Sequence, residues 1–380
     1  MSTLPPLEGH EPERAGLAGA AANGLLPHSI LLHGPAGIGK QRLALWLAQL
    51  LLCEQFPRRE PCGDCRACRL AVRLEHPDLH WFFPLPRPKG AGPDRLADAL
   101  EEARAAELET RREQPLRPTL PIGMAGIYLA QVQTLLKVAA ARPAMGRRKV
   151  FVIGDAELLV PQEASPEAAN ALLKLLEEPP TDTTILVTAS DPNLLLPTIR
   201  SRLLPVRLRP LAAAAAADFL VRTGDVKPET ARWAAQLAGG SIGRALGYLP
   251  QGEEPGPLDE IRQQGRALLE AALERTGAAA LAAAHAESPA GARATFADAL
   301  ESLTLWLRDL GAAAAGAGDV VLNQDALPWL QGIARQLPRP DGIPAAIRAV
   351  EETIQLTQIN INPQLATAVL LRRVRGVLLG

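Results

Sequence analysis

Seven residues, Gly34-Pro35-Ala36-Gly37-Ile38-Gly39-Lys40, carry the G-x-x-x-x-G-K spacing of a loop that wraps phosphate. Glycines at Gly34, Gly37 and Gly39 let backbone N–H groups close on phosphate oxygens. A helix starting behind them adds partial positive charge, and Lys40 adds a full one. Two chemical parts are absent. The position after the lysine calls for Ser or Thr, whose hydroxyl would hold Mg²⁺, and it is Gln41. A second acidic segment, Lys149-Val150-Phe151-Val152-Ile153-Gly154-Asp155, is followed by Ala156 where a hydrolase of this type places a glutamate that activates water. The cradle survives and the hydrolytic groups do not, which is the pattern of a degenerate ATPase. Two states fit these residues: nucleotide held without turnover, with the Gln41 carbonyl reaching the metal, and no nucleotide at all.

The second cluster is made of sulfur. All four cysteines, Cys53, Cys62, Cys65 and Cys68, fall in one short stretch with C-x8-C-x2-C-x2-C spacing. Four thiolates enclose a zinc ion tetrahedrally and leave no coordination position for catalysis, so the expected role is structural. Gly63 and Asp64 suit the tight turn between two ligands. A redox cysteine pair and reduced bystander thiols are the competing readings, with His76 and His80 as alternative ligands nearby.

The elements that must position these groups follow from the pattern of apolar residues. Ser29–His33 reads as a buried strand and 41–52 as a helix. Further strands are expected at 80–83, 150–153 and 184–188, with helices at about 128–141 and 166–178. Ser165 and Pro166 form a good start for the last of these, and Pro179-Pro180 stops it. Strands separated by helices imply a parallel sheet covered on both faces. Residues 84–126 read as a surface insertion with a thin apolar stripe at Leu96, Leu100 and Ala103. Pro205–Pro210 reads as a hinge, 211–249 as helical, and 251–257 as a Gly/Pro/Glu-rich linker. The remainder, 258–380, is alanine- and leucine-rich with five or six helices and no strand.

A formal net charge of −1 supplies no global basic field for autonomous nucleic-acid binding. The short run Arg147-Arg148-Lys149 reads as a solvated start to a strand. No apolar run has the length of a membrane span, and no export signal is visible, so the chain is read as a cytoplasmic globular protein without a membrane partner. Aromatic residues are only 3% of the chain, so the cores are mainly aliphatic.

Several blocks together resemble the delta-prime subunits of the bacterial DNA polymerase III clamp loader, within the AAA+ clamp-loader family. They are Leu26-Pro27-His28-Ser29-Ile30-Leu31-Leu32-His33-Gly34-Pro35, the cysteine knuckle behind the first helix, and His76-Pro77-Asp78. The block Ala168-Ala169-Asn170-Ala171-Leu172-Leu173-Lys174-Leu175-Leu176-Glu177-Glu178-Pro179-Pro180 is the most specific. Leu196-Pro197-Thr198-Ile199-Arg200-Ser201-Arg202 and, more weakly, Asn360-Ile361-Asn362-Pro363-Gln364-Leu365 complete the set. The resemblance implies an AAA+ α/β domain over 1–208 with a zinc knuckle at 53–68, a helical lid over 209–252, and an all-α collar over 253–380. It also implies partners: gamma/tau and delta subunits in a hetero-pentamer, and through them the sliding clamp and primed DNA. Arg202 falls where the family's Ser-Arg-Cys motif supplies an arginine finger to ATP on a neighbouring subunit. Leu203 replaces the cysteine of that motif, which leaves the charge unchanged. Arg244 falls where a lid arginine contacts nucleotide in active relatives. The expected function is a non-hydrolysing subunit of the loader. The alternatives are its ATPase motor (a gamma/tau-like subunit), and an unrelated AAA+ regulator or helicase loader, which would not account for the four cysteines.

Overall fold

A computed structural model describes residues 4–90, 92–117, 125–159, 167–274, 278–286, 293–357 and 361–380. Two compact units divide at 246/247. In the first, α1 (Glu11–Ala22) precedes β1 (Ser29–His33) and α2 (Lys40–Leu52), and the knuckle leads into α3 (Arg66–Val72). Then come β2 (Leu79–Phe82), β3 (Leu85–Pro86), α4 (Leu96–Glu113), β4 (Ala125–Gly126), α5 (Leu129–Ala140) and β5 (Lys149–Ile153). The α/β part ends with α6 (Glu167–Glu177), β6 (Thr183–Ala189), α7 (Pro197–Arg200) and β7 (Leu204–Arg207). Ser165 and Pro166, expected to start α6, lie outside the described residues, as does Asn360.

The main sheet is wholly parallel, in the order β2-β5-β6-β1-β7. Its central strands read as continuous apolar runs because both faces are covered. Alternation sorts them. Ile30 and Leu32 of β1 pack with Val150, Val152, Leu186 and the leucines of α2, whereas Leu31 joins Phe151, Ile153 and Ile185 on the side of α5 and α6. In α6, Ala168, Ala169, Leu172, Leu175 and Leu176 form one buried stripe. Each buried leucine there contributes about 1.5–3 kcal/mol by leaving water. The chain leaves β1 toward one edge of the sheet and β6 toward the other. That divergence opens a crevice at the carboxyl ends of these two strands, where ligands bind in such sheets.

Three sequence expectations change. The Pro205–Pro210 hinge begins with a strand: β7 pairs with β1, Leu31 opposite Pro205. Proline misled the reading because it breaks a central strand, but β7 is an edge strand, where proline is tolerated. The 84–126 segment is less solvated than expected. Leu100 is fully buried, with Leu96 and Ala103 packed beside it, and β3 pairs with β4 to close the excursion. The guanidinium groups of Arg104 and Arg111 lie over Phe82 and Phe83, 4.9 and 3.9 Å from the ring centres. Finally, Lys149 is not solvated. It is 2% exposed, and its ammonium donates to the carbonyls of Val138, Ala139 and Ala141 at the end of α5. There it satisfies carbonyls that the helix leaves unpaired.

Three helices follow the sheet: α8 (Ala213–Gly224), α9 (Pro228–Leu237) and α10 (Ile242–Tyr248), the last crossing the boundary between units. The second unit holds α11 (Pro257–Leu273), α12 (Ala278–Ala286), α13 (Arg293–Ala314), α14 (Leu327–Gln336), α15 (Ile343–Leu356) and α16 (Pro363–Leu379). Its core gathers around Trp306, which is 1% exposed and meets Trp329 edge-on. No described helix is long and apolar enough to cross a membrane.

Candidate functional site

The phosphate-type loop leaves the carboxyl end of β1 and enters α2 at Lys40. Gly34, Gly37 and Gly39 all have positive φ (146°, 74° and 100°). Space adds a second reason for two of them: a Cβ at Gly34 would lie 2.4 Å from the Leu208 carbonyl oxygen, and one at Gly37 would lie 2.6 Å from Ser241 Oγ. The three glycines expected from the sequence are therefore required by the geometry.

Five consecutive carbonyls of the loop are paired within the protein. Lys40 Nζ donates to Gly34 O and Pro35 O, both at 2.9 Å. Ser241 Oγ donates to Ala36 O at 2.9 Å, and the Gly243 amide to Gly37 O at 2.9 Å. His10 Nε2 bonds Ile38 O at 2.8 Å. The loop is thereby closed from three sides: by its own lysine, by α10 and the residue before it, and by the residue ahead of α1. A Cβ at Gly243 would stand 2.9 Å from Gly37 Cα, so the α10 backbone rests directly on the loop. Arg244 bonds Ser241 Oγ through its own amide.

Charge is buried under the loop. Lys40 is 5% exposed and also donates to Ser190 Oγ at 3.0 Å. Burial lowers its pKa, and the nearby Asp155 and Glu157 carboxylates offset part of that effect. The Gln41 amide is committed to a neighbouring acid. Its Nε2 donates to Asp155 Oδ2 at 2.9 Å, and its amide fills the space over Gly154. Burial raises the Asp155 pKa against the pull of Lys40, Arg111 and the Gln41 bond. Asp155 also sits at φ 49°, held by its amide bond to Thr188 Oγ1 at 3.0 Å.

The sequence reading placed a missing carboxylate at Ala156, which is 1% exposed in the core beneath the sheet. It overlooked Glu157. This residue turns back to the crevice, accepts the Ser190 amide at 2.8 Å through Oε1, and has its pKa raised by burial. Its Oε2 is buried with no partner among the described residues. The available signal was an acid two residues past Asp155, rather than one.

At the other end of α2 the four sulfurs converge. Cys53, Cys62, Cys65 and Cys68 place their Sγ atoms within 4.8 Å of one another, and none is in a disulfide. Bonds of 2.3 Å to a tetrahedral zinc set sulfur–sulfur separations of about 3.8 Å. Cys62 Sγ and Cys68 Sγ are 3.8 Å apart. The four residues fit a closed metal site. Cys65 N donates to Cys62 Sγ at 3.4 Å, and Cys68 N to Cys65 Sγ at 3.3 Å. The Cys65 amide is the main reason that the Cys62 pKa falls to about 6. Cys65 thereby also caps α3.

Neither histidine weighed as an alternative ligand joins the sulfurs. His80 stacks on Phe151 at 5.0 Å, and burial lowers its pKa to about 4. His76 Nδ1 accepts the Asp78 amide at 3.0 Å. Asp78, which the sequence marked only as part of the His76-Pro77-Asp78 block, is 1% exposed and accepts the amides of Ala144, Met145 and Gly146 at 2.5, 2.8 and 2.7 Å.

Arg202 follows α7. Its Nη2 pairs with Glu177 Oε1 at 2.5 Å, and its Nη1 donates to Thr198 O at 2.7 Å. Its side chain is 33% exposed, and none of these partners belongs to the phosphate-type loop. The neighbouring Arg200 bonds Asn193 Oδ1 at 2.9 Å. The site residues thus form three separate clusters: loop, sulfur knuckle, and an arginine at the surface.

Residues 10–212 match the family model described as DNA polymerase III, delta subunit. The DNA polymerase III subunit delta' of Pseudomonas aeruginosa is 34% identical over 215 residues, covering 56% of this chain and 53% of that protein. The match therefore spans about half the length of that relative. The delta' subunit of Bacillus subtilis is 28% identical over 340 residues, or 89% of this chain and 88% of its own. The DNA polymerase III subunit gamma/tau of Mycobacterium tuberculosis is 30% identical over 204 residues, covering 53% of this chain and 28% of that protein.

Proposed function

The chain belongs to the DNA polymerase III delta-subunit family, and on that premise we propose that it is a non-hydrolysing delta-prime-type subunit of a clamp loader. In this reading it joins gamma/tau and delta subunits in a hetero-pentamer in the cytoplasm and helps to load the sliding clamp onto primed DNA. One observation carries the non-hydrolysing part: Gln41, at the metal-ligand position, is spent on Asp155, the acid that would otherwise act beside it. Pairing of five loop carbonyls keeps the loop in shape through contacts within the protein. Arg202 is the finger offered to the ATP of a neighbouring subunit, its charge stabilising the transferred phosphoryl group.

The sulfur knuckle holds zinc. Four thiolates fill its coordination shell, so the ion would close the chain between α2 and α3 and take no part in chemistry. The three-part organisation over 1–208, 209–252 and 253–380 gives the lid as the part that seals the loop and the collar as the assembly part.

The test is steady-state phosphate release and nucleotide binding by the isolated chain with Mg²⁺. Turnover should be negligible. A rate of about 1 s⁻¹ or faster, within the ordinary enzyme range, would identify the chain as the motor subunit instead, with Glu157 the first candidate for its base.

A further inference from the structure

The arginines around the sulfur knuckle do work that neither the loop nor the finger explains. In α3, Ala67, Cys68 and Ala71 are buried, while Arg66 and Arg69 are exposed; Arg73, just past its end, is half-buried. The spacing 66, 69, 73 places the three arginines on one helical face. Over residues 57–73 five arginines stand against Glu60 and Asp64, a formal +3 in a chain of net −1. Four thiolates around a divalent ion leave a formal −2 and cut the excess to +1, and Glu54, just before this stretch, accepts the Ala67 amide at 3.2 Å; the exposed pair Arg66 and Arg69 is what faces outward.

Like Arg207, Arg209 and Arg232, and unlike several other arginines, the knuckle arginines have no carboxylate partner among the described residues. Elsewhere in the first unit Arg14, Arg104, Arg111, Arg112 and Arg202 each meet a glutamate. Among the described residues no carboxylate lies within ion-pair distance of Arg58, Arg59, Arg66, Arg69 or Arg73. Arg69 reaches only the Asp64 carbonyl, and Arg58 only the Gln55 side chain. Arg148 extends the surface, its guanidinium 5.3 Å from the Phe56 ring at the start of the same loop.

We propose that this face binds the phosphodiester backbone of DNA. The inference rests on the clamp-loader reading, which brings DNA to the assembly, and adds a contact site in this chain. Charge and length both fit. From Arg66 to Arg73 the chain rises about 10 Å, close to three 3.4 Å phosphate steps along one strand. The remaining surface is acidic on balance and turns DNA toward this face. Lying at the far end of the 13-residue α2, the face stands about 20 Å from the phosphate-type loop, so it is a separate site.

The experiment uses the full chain and a fluorescently labelled primed DNA, read by anisotropy between 50 and 200 mM salt. The combined Arg66→Ala, Arg69→Ala, Arg73→Ala variant should bind at least about tenfold more weakly at the low-salt end. Its slope of log affinity against log salt should be shallower by about two to three, since each phosphate contact accounts for 0.7–0.9. The triple lysine variant should recover that slope, and Arg232→Ala, on the exposed side of α9, should leave it unchanged. Metal content and assembly with gamma/tau and delta subunits are measured on the same samples. Assembly without any salt-dependent DNA binding would overturn the site and leave the clamp-loader reading intact; failed assembly of the wild type would overturn that reading. Loss of metal from the alanine variant, or an acidic peptide that saturates the same arginines while DNA does not, would also overturn the site.

Discussion

Replacing Arg202 by alanine separates the finger role from simple charge pairing, because the structure limits what the side chain can contribute locally. Its ion pair with Glu177 is short, but the two side chains are 33% and 48% exposed. Pairs of that kind contribute about 0.2–1 kcal/mol. The bond to Thr198 O adds about 1 kcal/mol. Arg202→Ala should therefore cost no more than about 2 kcal/mol of stability, and the variant should fold and join its partners. The effect on the neighbouring ATP should be far larger. An arginine finger is worth roughly 10³–10⁵ in rate at the site it serves. A loader with several ATP sites loses less overall, because this arginine serves one of them. The assay is clamp loading by reconstituted complex, beside single-turnover phosphate release and a check of assembly. Arg202→Lys keeps the charge but loses the planar fork, and should recover only part of the rate. Glu177→Gln frees the guanidinium from its resting partner, and should load at least as fast as the wild type. Normal loading by a properly assembled Arg202→Ala complex would refute the finger; failed assembly would assign the residue to the interface.

Cys65→Ser should release the metal, leaving the wild type with about one zinc equivalent by mass spectrometry and the variant with none, and should destabilise the first unit. A stable, metal-free wild type would count against the knuckle. Asp78→Asn leaves one acceptor oxygen for three amides and should cost about 2–4 kcal/mol in urea unfolding. Burial alone would raise the Asp78 pKa, but those three amides lower it below its ordinary value. Its stabilisation is therefore present at neutral pH and is lost as pH falls from the ordinary carboxylate value through the lowered one. The acid limb of the stability profile should flatten in the variant, and an unchanged limb would show that another carboxylate sets it.

The strands and the loop were legible because their signals are local. β1, β5 and β6 are unbroken apolar runs, and the glycine spacing of 34–40 has few structural meanings. The parallel sheet with helices on both faces followed from those runs. What escaped depends on partners distant in sequence. Nothing beside Lys149 announces that the end of α5 will come to meet it, and nothing beside Asp78 announces three amides from the turn before β5. α1 escaped because its apolar positions are mostly alanine and glycine, so its stripe is faint. β7 was hidden by Pro205, whose meaning changes with its place at the edge of the sheet. At the site, the position directly after Asp155 is Ala156, while the carboxylate that reaches the crevice, Glu157, is one residue further on.

The placement of β1 in the sheet has a consequence for the chain as it leaves the ribosome. Both of its neighbours, β6 and β7, are made much later, and the loop it carries is finished from residues later still. Lys40 finds Ser190 150 positions ahead, and Ala36 waits for Ser241, 205 positions ahead. At roughly 5–20 residues per second, the interval between synthesis of the loop and of its last partner is about 10–40 s. Through that interval the glycine loop has its sequence but no fixed shape, and the apolar face of β1 has no neighbour. The knuckle is different: its four sulfurs emerge within sixteen positions, 53–68, and can close on a metal before any strand has paired. The order of synthesis thus lets the α2–α3 segment gather its ligands early, while the apolar strand β1 waits longest for its neighbours.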